Sequence, residues 1–167
     1  MHRLALVLAA AVILPGCGGS SSGTHASSAP PVPGPAAVVG AGAKTIYRSA
    51  GWAVVVDGSR AVALHRAGGA WRPDRSGRVK VEILGPGPGT KAAATPQVAA
   101  QLTARSPLVE SSLWVDGRAL LVKGGGSPTR GTIYGAPDSP LAPGKHLAVA
   151  YGRTATSATA VAWTFRV

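Results

Sequence analysis

The chain has 167 residues, 46% of them hydrophobic, with 23 Gly, 14 Pro and a single Cys. That size holds one sizeable core with a small appendage and excludes two full domains, and the glycine and proline content points to short strands joined by tight turns rather than to helices. The net charge is +11, spread along the chain without a basic block, and one thiol excludes an internal disulfide and a thiolate metal cage.

Residues 1–17 read MHRLALVLAAAVILPGC. Arg3 supplies a positive start, and residues 4–14 form an apolar run too short to span a bilayer, which needs ~20 residues, so the segment is organised as a leader. Leu14-Pro15-Gly16-Cys17 resembles a bacterial lipobox, the motif at which a cysteine thiol is lipidated and the leader removed just before it. The resemblance implies a lipoprotein signal peptide at 1–16 and lipidation at Cys17, with palmitate among the acyl chains. Each buried methylene of such a chain contributes ~0.8 kcal/mol, and more than one chain makes membrane attachment lasting.

Residues 17–44 comprise the cysteine and a tether that reads GGSSSGTHASSAPPVPGPAAVVGAGA over 18–43, a stretch of Gly, Ser, Ala and Pro with almost no charge. It can bury little, so it is expected to be a disordered tether, with His25 a solvated linker residue. Over residues 45–78 the pattern changes. Trp52, Val54 and Val56 alternate with Ala53, Val55 and Asp57; Asp57-Gly58-Ser59 signals a turn, Val62 and Leu64 return, and Gly68-Gly69 turns into Ala70-Trp71-Arg72. This predicts a three-stranded β-meander.

Further on, Val79, Val81 and Ile83 alternate with Lys80 and Glu82 before Gly85-Pro86-Gly87-Pro88-Gly89 ends the strand. Val98, Ala100, Leu102 and Ala104 share one side of another strand, and Leu113 and Val115 lie opposite Trp114. Asp116-Gly117 repeats the Val-Asp-Gly centre of Asp57-Gly58, which common turn chemistry explains without an internal repeat. Residues 124–131, GGGSPTRG, have the glycine content of a phosphate cradle but lack the Gly-Lys-Ser/Thr ending and a following helix, so they read as a flexible loop. Thr132-Ile133-Tyr134 is a short strand. At the end, Leu147, Val149 and Tyr151 alternate, the small polar residues 152–158 turn, and Val161, Trp163, Phe165 and Val167 return at every second position. This closing hairpin is expected to present one large apolar face that the other strands cover.

Val81-Glu82-Ile83-Leu84-Gly85-Pro86, Leu113-Trp114-Val115-Asp116-Gly117, Leu141-Ala142-Pro143-Gly144-Lys145-His146 and Trp163-Thr164-Phe165-Arg166-Val167 occur in that order. Together they resemble the immunoglobulin-like domains of bacterial surface and secreted proteins. The resemblance implies an all-β chain, with an immunoglobulin-like antiparallel β-sandwich at 79–167 and an additional N-terminal β-meander at 45–78. It also implies a binding or spacing module. The Gly/Ala/Arg-rich composition and the lipobox are similar to those of actinobacterial lipoproteins.

No residue is assigned a catalytic, cofactor or metal role. His146, after a Pro-Gly corner, is expected to bond a neighbouring backbone group and fix the turn, and His65 reads as an isolated surface histidine. A wall hydrolase using His146 with Asp138 is the enzymatic alternative, although no Gly-x-Ser-x-Gly signature accompanies it. A copper carrier is the other, although the ligands such sandwiches need near the start of the folded part are missing. The basic residues Arg60, Arg66, Arg72, Arg75, Arg78 and Lys80, with Trp52 and Trp71 among them, are candidates for binding a polyanion. For an exported protein nucleic acid is in the wrong compartment. The expected partners are the membrane, through lipidated Cys17, and an anionic wall polymer or envelope protein. The expected location is the outer face of the cytoplasmic membrane, in the cell envelope.

Overall fold

The structure, a computed structural model, describes residues 32–49 and 51–167. The expected leader, Cys17 and the first part of the expected tether lie outside the described residues. Strands β1 (Lys44–Ser49), β2 (Trp52–Asp57), β3 (Arg60–Ala67) and β4 (Ala70–Pro73) form a four-stranded antiparallel sheet in chain order. The meander thus has one strand more than alternation indicates. That strand is β1, whose register slips between Thr45 and Tyr47, and a bulge breaks the period of two on which alternation depends.

Both faces of the meander are apolar because both are covered. Ala53, Val55, Leu64 and Trp71 pack beneath Ala36, Val39 and Ala43. Ala36 and Val39 belong to a short helix, α1 (Pro35–Val39), which falls inside the stretch expected to be a disordered tether. One and a half turns of helix have no stability of their own. Proline in its first turn and the burial of Pro35, together with the packing of Ala36 and Val39 on the sheet, hold it in place.

Eight further strands follow: β5 (Val79–Gly85), β6 (Val98–Ala104), β7 (Leu108–Val115), β8 (Arg118–Ala119), β9 (Lys123–Ser127), β10 (Arg130–Gly135), β11 (Lys145–Thr154) and β12 (Ala158–Arg166). They form two sheets, ordered β5-β6-β10-β9 and β12-β11-β7-β8. Taken from the first strand of this region, that is the order of the immunoglobulin fold, its first, second, fifth and fourth strands facing its seventh, sixth and third, with the two-residue β8 added beside the third. After β5 the chain leaves its sheet and residues 89–92 run beside β12 in the other. There the Gly89 N–H bonds the Thr164 carbonyl at 2.7 Å and the Arg166 N–H bonds that of Thr90 at 2.9 Å. The fold is an immunoglobulin-like antiparallel β-sandwich with an N-terminal β-meander.

The core between the sandwich sheets is built from Val98, Ala100, Leu102, Leu113, Val115, Ile133, Trp163 and Phe165 with Ala148 and Ala150. Trp163 reaches the edge of this core, where its indole N–H donates to the Pro86 carbonyl at 2.8 Å. The register of the closing hairpin differs from expectation. Ala148 pairs with Trp163 and His146 with Phe165, whereas Val149 pairs with Ala162 and Tyr151 with Ala160. Paired residues share a face, so the two apolar series, Trp163 with Phe165 and Val149 with Tyr151, lie on opposite faces of the sheet. Trp163, Val149 and Tyr151 are each set against a small alanine across the pair, and Phe165 against His146. The reason is that this sheet is a middle layer: Trp114, Val149, Tyr151 and Ala158 on its outer face pack against Val54 and Ala63 of the meander. The meander therefore docks on the sandwich rather than standing apart. β9 is a second departure, since Gly124 to Ser127, read as loop, pairs with β10 together with Lys123.

Candidate functional site

At the junction of meander and sandwich, β1 contributes Tyr47, β2 Trp52, β7 Glu110 and Trp114, and β11 Tyr151 and Arg153. The Tyr47 hydroxyl donates to one oxygen of the Glu110 carboxylate, and Arg153 Nε donates to the other at 2.8 Å. The Tyr47 ring lies 5.8 Å from that of Trp114 and 5.6 Å from that of Tyr151, both tilted, and the Arg153 guanidinium sits over the Trp52 ring at 5.8 Å. Burial, helped by the Glu110 charge, raises the phenol pKa of both Tyr47 and Tyr151, most strongly at Tyr151. The Tyr151 hydroxyl is buried without a hydrogen-bond partner, as is His65 Nδ1, whose ring lies 5.7 Å from Trp52. His65 is thus half-buried against Trp52 rather than isolated on the surface. With its carboxylate held by a guanidinium and a phenol, this cluster locks two layers together.

The other polar cluster is the corner of Asp116 and His146. Asp116 occupies a left-handed conformation, φ 51°, in the turn after β7, and its Oδ1 accepts the Leu147 N–H at 2.9 Å. Its Oδ2 lies 2.7 Å from His146 Nδ1, while His146 Nε2 lies 2.8 Å from the Ala142 carbonyl. A carboxylate and a carbonyl can only accept, so both ring nitrogens are satisfied together only in the protonated imidazolium. The hydrogen bond to Asp116 accordingly raises the His146 pKa, against the opposing effect of burial. In that protonated form the ring has no lone pair to act as a base or to bind copper, and its carboxylate partner is Asp116, not Asp138. Sequence spacing does not reveal that partner, because Asp116 looks like an ordinary turn residue.

The six basic candidates are all exposed, and the structure distributes them. Arg60 and Arg75 line one cleft of about 310 Å³, with Asp57, Asp74 and Thr159, beside the part of β3 that β4 does not reach. Burial acts to raise the Asp74 carboxyl, but N–H groups of Ser76 and Ala158 and the hydroxyls of Ser76 and Ser157 bring it below the ordinary carboxylate range. Arg66 and Arg72 stand on neighbouring strands but pair with Trp71 and His65 respectively, so they point to opposite faces of the meander. Arg78 and Lys80 belong to the other side of the sandwich, where Lys80 lies across from Thr103, itself paired with Arg130. The tryptophans are not open stacking platforms. Trp71 is 6% exposed in the meander core, with the Arg48 guanidinium 5.4 Å above its ring. Among the described residues the ion pairs are His146 with Asp116 and Arg153 with Glu110, so none of the six candidates makes an ion pair with a carboxylate. Groups of His, Cys, Asp and Glu able to hold a metal ion are absent among the described residues.

Fold and site together define an immunoglobulin-like module with a basic surface and well-occupied polar clusters. No protein-family model matches the chain, and no curated protein matches it. Among solved structures it is similar to titin Ig tandem domains A164-A165, with 6% identity and a TM-score of 0.35, over 72% of this chain and 74% of that one. At that level the likeness adds nothing to the strand order.

Proposed function

We propose that the chain is a non-enzymatic binding or scaffolding module, anchored at the outer face of the cytoplasmic membrane through lipidated Cys17, whose basic surface engages an anionic wall polymer or envelope component. An immunoglobulin-like sandwich fits such a role, although the fold alone does not select a partner. The observation that carries the reading is the set of exposed cations outside any ion pair, two of which, Arg60 and Arg75, share a cleft whose carboxylates, Asp57 and Asp74, lie beyond ion-pair distance from them. Each cation brought near an anionic surface contributes ~1 kcal/mol, a gain that salt screens.

The test is retention of the chain, carrying no acyl group on Cys17, on immobilised poly-glutamate and on phosphatidylglycerol vesicles. Arg60→Glu with Arg75→Glu should weaken binding to both by at least about tenfold, and molar salt should abolish it. Binding that survives both changes contradicts a mainly electrostatic partner. For the anchor, Cys17→Ala should release the protein from the membrane pellet, and a variant that pellets as firmly as wild type removes the lipid argument.

A further inference from the structure

The edges of the three sheets are unequally guarded. β1 carries Lys44 and Arg48, β4 carries Arg72 and Pro73, β5 carries Lys80 and Glu82, β8 is two residues long, and the end of β12 is covered by residues 89–92. Charge, proline, shortness and cover are the devices that keep an edge from pairing with another chain. β9 has none of them in its middle, which is Gly124-Gly125-Gly126, and it is exposed along its length.

The register with β10 shows what those glycines do. Lys123, Gly125 and Ser127 lie beside Tyr134, Thr132 and Arg130 on the solvent face, and Gly124 and Gly126 lie beside Ile133 and Gly131 on the core face. No side chain fits at the two core-face positions. A Cβ would stand 2.6 Å from the Thr132 carbonyl oxygen at 124 and 2.2 Å from that of Arg130 at 126. The flank of the core that an edge strand ordinarily covers is therefore left as a groove of about 450 Å³, lined by Leu102, Leu108, Val122 and Ile133. Leu121, just before β9, is 76% exposed and extends the apolar surface.

We infer that β9 receives an extended segment of a partner protein by strand addition, and that the segment alternates apolar with acidic residues. The free backbone groups of β9 pair with the segment, and alternate side chains of the added strand fill the groove that Gly124 and Gly126 leave open. The intervening side chains emerge on the solvent face next to Lys123, with Arg130 on the strand behind it and its guanidinium on Gln101, and this charge favours carboxylates there. A second copy of this chain is a poorer occupant, because it brings the same net charge of +11. The surface is distinct from the cleft of Arg60 and Arg75, so this inference and the polymer reading fail independently.

The test uses the full chain with a short capped peptide alternating valine and glutamate, against the same peptide with lysine for glutamate and a third N-methylated at alternate residues. The valine–glutamate peptide should bind and slow amide hydrogen exchange at residues 123–127, and the other two should not. Lys123→Glu with Arg130→Glu, both at exposed positions, should reverse the preference between the charged peptides by about fivefold in each direction, while Arg60→Glu with Arg75→Glu leaves it unchanged. Equal binding of the N-methylated peptide, protection elsewhere than 123–127, or no protection overturns the inference. Protection of 123–127 that rises with protein concentration alone also overturns it, in favour of pairing between copies.

Discussion

Asp116 is the residue on which the corner between the sandwich sheets depends, and its replacement by Ala and by Asn separates three effects. Alanine removes the acceptor of the Leu147 N–H, removes the anion facing His146, and puts a Cβ-bearing residue without local hydrogen bonding at φ 51°. A hydrogen bond to a charged group contributes ~2 kcal/mol, but the Asp116 side chain is 45% exposed and solvent screening roughly halves this. Leaving the buried imidazole short of an acceptor costs about 1 kcal/mol, and the left-handed backbone costs alanine about 1 kcal/mol. Asp116→Ala should therefore lose about 3 kcal/mol, which for a domain of this size lowers Tm by roughly 10 °C. Asn keeps an acceptor for Leu147 and tolerates the left-handed region, so Asp116→Asn should lose only about 1 kcal/mol. The two variants also differ from wild type in pH dependence. His146 has a pKa above 6.5 in the fold, so its stabilising effect is fully present below about pH 6.5 and fades as pH rises through the folded value. Thermal melts by circular dichroism from pH 5.5 to 9, with the His146 ring protons followed by NMR, give both readouts. Equal losses in the Ala and Asn variants, or a His146 pKa that Asp116→Asn leaves unmoved, would refute the clamp.

Two further outcomes follow from the packing. Glu110→Gln should destabilise the chain by about 2 kcal/mol, because it leaves the mostly buried Arg153 without its anion; it should also lower the Tyr47 and Tyr151 pKa, since the Glu110 charge raises both, which an ultraviolet pH titration detects. Gly152→Ala places a Cβ 3.0 and 3.1 Å from the Leu102 methyls and 3.3 Å from Val79, so urea unfolding should show a loss of about 1–3 kcal/mol from overpacking.

Alternation along β5, β6, β7 and the closing hairpin, with Gly and Pro between, was enough to predict an antiparallel sandwich over residues 79–167, because a period of two is a local property of a half-buried strand. The order β5-β6-β10-β9 facing β12-β11-β7-β8 bears out the antiparallel sandwich as a fold class. The same local rule misses β1, where a bulge breaks the period, and β9, where three glycines carry no pattern at all. The basic candidates were legible as charges, but their spread over several faces was not, since strand parity and sheet order decide where an exposed arginine points.

Composition and spacing by themselves determine that this chain is all β, that it holds one thiol, and that Trp163 and Phe165 are buried together. Only the tertiary structure decides that Val149 and Tyr151 face the other way, toward the meander, because the face of a strand is set by its partner's register and by what is packed beyond it. The pairing of Asp116 with His146 and the groove beneath β9 are decided there too. Both join residues distant in sequence, and a chain read residue by residue contains the groups but not the distances between them.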